Sequence, residues 1–133
     1  MPVMNDPEMR ALFASELAER SARLVAAAQL ARSGTASDED LEVLRREAHT
    51  IKGTARMMGF EAIGAAGEAV EGTVSKVDEP RVASAIELVA TEMPAAGAAD
   101  DGTTPALEAA LASLTAAFEG RPDPDDPPPG RSD

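Results

Sequence analysis

The sequence predicts an all-α fold, on three observations. Ala, Leu, Glu and Arg, all good helix formers, are abundant, whereas aromatic residues amount to only 2% and strand-favouring types are scarce. Helix start and stop residues punctuate the chain from end to end. One stretch repeats apolar or small residues in the alternating four-three spacing of a bundle seam. At 133 residues the chain is long enough for one domain with a real core and short for two.

Asp6-Pro7 offers an N-cap with proline at the first helical position, so a first helix is expected over residues 7–32. Its apolar stripe is Met9, Leu12, Phe13, Leu17, Leu24, Ala28 and Ala31, and Ser33-Gly34 stops it. Ser37, with Asp40 three residues on, resembles a capping box and opens a second helix over 38–58, which Gly59 ends. The third helix, over 61–77, sets Ile63, Gly67, Val70, Val74 and Val77 along the seam, as in antiparallel bundles. Gly64, Gly67 and Gly72 lower its propensity, so it depends on packing. Pro80 opens a fourth helix with Val82, Ala85, Ile86, Val89 and Met93 inward, and Pro94 is expected to close it. Residues 95–103 read as a loop. Thr104-Pro105 caps a fifth helix with Leu107, Leu111, Leu114 and Phe118 inward. Half of the ten prolines follow Gly120, with no apolar residue to bury. Residues 1–119 are therefore expected to form the bundle, and 120–133 a disordered tail.

Several function classes fall away at once. Without cysteine there are no disulfides, thiolate metal sites or cysteine nucleophiles, and a single histidine excludes zinc sites built on two imidazoles. No apolar stretch approaches the roughly 20 residues of a membrane span. The N-terminus has no basic start or apolar core, so no signal peptide is expected and the chain reads as soluble and cytoplasmic. A formal net charge of -12 argues against nucleic acid as the main partner.

The candidate site centres on His49. At about 100° per residue, Leu41, Leu44, Ala48, Ile51, Ala55 and Met58 share the face that a bundle buries. His49 lies about 130° from the middle of that face, so its ring points to solvent. Its neighbours one turn away are Lys52 and Gly53 on one side, with Arg56 beyond, and Arg45 and Arg46 on the other. Four of the twelve Lys and Arg residues fall between positions 45 and 56, with Glu47 as the sole acid, so the overall sign of the protein inverts locally. Gly53 costs about 1 kcal/mol against alanine in mid-helix. It lies on the wrong face to serve helix packing, and leaves room beside the ring for another molecule. An exposed imidazole flanked by cations is a nucleophile suited to an anionic electrophile.

These residues resemble the histidine phosphotransfer (HPt) domain. The family motif H-x-x-K-G-x-x-x-x-x-G is met by His49, Lys52, Gly53 and Gly59. Where such domains carry a Leu…Leu-Ala-x-x-Leu-Glu pattern, this chain has Ile63, Ala66-Gly67 and Val70-Glu71. The small Ala66 and Gly67 let the third helix pack closer or leave it less stable. The resemblance implies an antiparallel four-helix bundle with the first helix as an extra element, and a phosphorelay in which His49 exchanges a phosphoryl group with a receiver aspartate. Lys52 and Arg56 would stabilise the phosphoryl group, with Gly53, Arg45 and Arg46 meeting the partner. Partners implied are a response-regulator receiver domain, which supplies magnesium and an acidic pocket, and a sensor histidine kinase, which supplies ATP. The chain shows no nucleotide loop and no clustered acids beside His49. It is thus expected to be a monomeric phosphocarrier rather than an enzyme, with no cofactor or metal of its own. Two alternatives stay open: a non-catalytic helical adaptor, and the phosphoacceptor fragment of a chemotaxis-type kinase.

Overall fold

Asp6 caps the first helix by accepting from the backbone N–H groups of Glu8 and Met9, and α1 (Pro7–Arg32) begins there. The computed structural model describes residues 6–124, and all regular elements within them are helical. Ser37 and Asp40 complete a reciprocal capping box at the start of α2 (Asp38–Met57). The end of α2 is a Schellman stop: Gly59 takes φ 83, its N–H reaches Arg56, and the Phe60 N–H reaches Ala55.

Two helix ends differ from expectation. α3 (Glu61–Thr73) stops short of Val77, and the chain tightens into a 3-10 turn over Val74–Lys76. There the Thr73 hydroxyl bonds back to the carbonyls of Ala69 and Val70, offering the backbone a local competitor to the helical ladder. Val74 and Val77 are buried nonetheless. α4 (Pro80–Ala98) runs straight through Pro94. Proline removes one ladder bond there, but the following turn is held by packing, with Ala96 and Gly97 buried. A Cβ on Gly97 would come within 2.8 Å of Leu17. The expected loop therefore shrinks to residues 99–104 before α5 (Pro105–Glu119), which Thr104 caps at the Leu107 N–H.

Contacts along the helices run in opposite directions, so neighbours are antiparallel. On α1 and α4, Arg10 donates to the Ala99 carbonyl while Arg32 pairs with Glu87. On α2 and α3, Arg56 pairs with Glu68 and Lys52 with Glu71. α1 makes the most extensive helix pairing, along α4, and a further one along α2, so it is a wall of the core. α5 packs chiefly on α4. Of the expected core residues, Met9 and Leu12 are exposed, while Leu41, Leu111 and Phe118 are half-buried. Phe60 plugs one end of the core: it stacks on Phe13 at 4.7 Å, lies under the Arg10 guanidinium, and is pressed by Gly102 of the α4–α5 loop.

Beyond α5, Arg121 donates to the Ala116 carbonyl, and Asp123 accepts from Ser113, so the first residues of the expected tail fold back. The rest of that expectation, residues 125–133, lies outside the described residues. Among the described residues no helix is long and apolar enough to cross a membrane.

Candidate functional site

The amphipathic pattern of α2 drives Leu44, Ala48, Ile51 and Ala55 into the core. That anchoring turns His49 outward, with 67% of its side chain exposed. Arg45, Arg46, Lys52, Gly53 and Arg56 fall within about 60° of it on the helical wheel. Glu47, the sole acid between positions 45 and 56, lies elsewhere. It is buried against α1 and accepts from Arg20 at 2.8 Å, with Arg23 at 3.5 Å. A carboxylate so placed needs those partners, since burial without them carries the full desolvation penalty.

α3 supplies the feature that the sequence reading lacked. Glu71 reaches across from α3 and holds two residues of α2 at once, His49 Nδ1 at 3.0 Å from Oε2 and Lys52 Nζ at 2.9 Å from Oε1. Lys52 first, and His49 after it, hold the Glu71 carboxyl below the usual carboxylate range. One turn along, Glu68 pairs with Arg56. The nearest charged partner of the imidazole is therefore an acid, and the expected ring of cations is corrected: Lys52 and Arg56 are both engaged by α3. Arg45 and Arg46 are exposed and make no ion pair among the described residues. Within this patch, the cations without an ion pair among the described residues lie on the N-terminal side of His49.

Two glycines of α3 allow this reach. A Cβ on Gly67 would lie 2.8 Å from both the Ala48 carbonyl oxygen and the Lys52 nitrogen, so the backbones of α2 and α3 touch there. Gly64 lies under the Arg56 side chain, which a Cβ would meet at 2.8 Å. The expectation of closer packing at Ala66-Gly67 matches this geometry. Gly53 behaves oppositely, since a Cβ there would meet nothing within 4 Å. Space stands open beside the ring, one turn toward the C-terminus.

The arrangement makes the two ring nitrogens unequal. With Nδ1–H donated to Glu71, the lone pair is on Nε2, which has no partner among the described residues. Glu71 is named in the sequence only as the last residue of the Val70-Glu71 pair. Its place at the site depends on the register between two helices, and the clue was a carboxylate one residue past a buried valine.

No curated protein and no solved structure matches the chain. The family model of the Hpt domain matches residues 8–117, more than four-fifths of the length and the whole of the site described above. The chain belongs to the Hpt domain family.

Proposed function

We propose that this chain is a phosphocarrier whose His49 Nε2 takes a phosphoryl group from a sensor kinase or a receiver aspartate and passes it to another receiver domain. Family membership supports a phosphotransfer role in two-component signalling. The observation that carries the reading is the inequality of the two ring nitrogens, one held by Glu71 at 3.0 Å and the other open to solvent. In the accepting step the Nε2 lone pair forms the N–P bond as the P–O bond to the aspartyl carboxylate breaks, and that carboxylate keeps the bonding pair. Nδ1 retains its proton, so the phosphorylated ring carries a positive charge that faces Glu71. Donation to the next aspartate is the reverse. Lys52 lies one turn from the ring and offers a charge-assisted donor to the phosphoryl oxygens. Gly53 admits the partner's surface. Phosphoryl transfer is mostly positioning and charge neutralisation, and these residues supply both.

In this reading the chain is a substrate of its partners' catalysis and acts inside the cell as a single bundle. The test is incubation with kinase and receiver domains of the source organism, one at a time. Acid-labile, alkali-stable label should appear on the wild type and be lost in His49→Gln. Absence of label with every such partner leaves the helical-adaptor reading in its place.

A further inference from the structure

Resting on the phosphotransfer reading, we infer that Met57 is the apolar anchor on which the receiver domain seats itself, and that it fixes the receiver's direction along α2. A protein that reaches Nε2 must cover the surface around it. A specific interface buries about 800 Å² on each partner, which corresponds to a disc about 16 Å in radius. Met57 lies eight residues beyond His49, about 12 Å along the helix axis and about 80° round it, which sets it toward the edge of that disc. It is 80% exposed, the highest value among the exposed large apolar side chains described. A lone exposed apolar residue is ordinary; the position of this one is what matters.

The two flanks of His49 differ in kind. Toward α3, Lys52 and Arg56 are tied to Glu71 and Glu68, and that flank is a closed set of ion pairs. Away from α3 runs the line Thr50, Gly53, Met57, spaced three and four apart, with no charge on it. The Gly53 position is bare, so a partner can lie flat across it before meeting the methionine. The Met57 backbone is pinned by the Schellman bonds of the following residues. Its unbranched, polarisable side chain is free to fit an apolar counterpart. At the other end, Arg45 and Arg46 stand within about 6 Å of His49 along the axis and make no ion pair among the described residues. Along the side away from α3 the surface is thus directional, with Arg45 and Arg46 before the histidine and an uncharged line ending in Met57 after it. It fits a receiver with acidic groups on one side of its reactive aspartate and an apolar patch about 12 Å away on the other.

Two phosphodonors test this. Phosphoramidate, a small molecule, phosphorylates an accessible imidazole with no protein surface to dock. The second donor is the phosphorylated receiver identified in the partner assay above. Met57→Ala should accept label from phosphoramidate at the wild-type rate. Its transfer with the receiver should show KM raised about tenfold or more, with kcat within about twofold. The deficit should persist in about 1 M salt, where charges are screened within about 3 Å. Met57→Leu should restore most of the affinity, and Leu88→Ala, exposed on α4, should transfer as the wild type does. A wild-type KM in Met57→Ala, or a deficit abolished by salt, overturns the anchor and leaves the phosphotransfer reading standing. If no receiver exchanges phosphate with the wild type, both fall.

Discussion

Glu71 holds Nδ1 of His49 and leaves Nε2 open, so in the proposed transfer its charge would face the positive ring of the phosphorylated product. Glu71→Gln should slow transfer about tenfold, a loss of about 1.4 kcal/mol from the transition state, with unchanged far-UV circular dichroism. The ion pair of Glu71 with Lys52, and after it the contact with His49, links stability to pH. Because the folded carboxyl is held below its ordinary value of 4.5, its contribution is complete above that pH and is lost as the pH falls through the folded value. With Glu71 about a third exposed, the pair is worth no more than about 1 kcal/mol. The stability gap between wild type and Glu71→Gln, measured by urea unfolding, should therefore narrow as the pH is lowered below 4.5. Gly53 sets stability against function. Gly53→Ala should stabilise by about 0.5–1 kcal/mol, since the methyl meets nothing. Gly53→Leu should keep the helix and impair transfer to the receiver. His49, Lys52 and Gly53 were legible in the sequence because their spacing lies within one helix. Glu71 was not, because its contact spans 22 residues and needs the register of a second helix.

At the scale of elements, the α2–α3 contact governs the site. Gly67→Ala should force the two backbones apart and cost about 1–3 kcal/mol in urea unfolding. It should also slow transfer by drawing Glu71 away from His49. Gly72→Ala on the same helix meets nothing within 4 Å, and should stabilise by about 0.5–1 kcal/mol. Helix starts were legible because capping is local: Asp6, Ser37 and Thr104 all cap as their sequence neighbours suggest. Two ends were not, and for tertiary reasons. Ala96 and Gly97 pack into the core and carry α4 past Pro94, while Thr73 turns its hydroxyl onto its own helix and ends α3 early.

For the whole molecule, the all-α fold and the order of its helices followed from patterns a few residues long, whereas the arrangement of the helices depended on contacts the chain makes far along its length. The prominence of α1 is one such case, since its pairing along α4 is the most extensive in the bundle. Charge is another. The chain carries a formal -12, yet Arg45 and Arg46 make no ion pair among the described residues. Replacing both with alanine should slow receiver association at low salt and have little effect near 1 M, as stopped-flow measurements would show. Phe60 joins residues that are distant in sequence, because the start of α1, the end of α2 and the α4–α5 loop all close on one ring. The amides just after Met57 should consequently exchange with deuterium only when the entire bundle opens, while those around Gly53 exchange through smaller, local fluctuations. Local opening beside the Phe60 clamp would let the proposed docking surface yield to a visitor without loosening the protein beneath it.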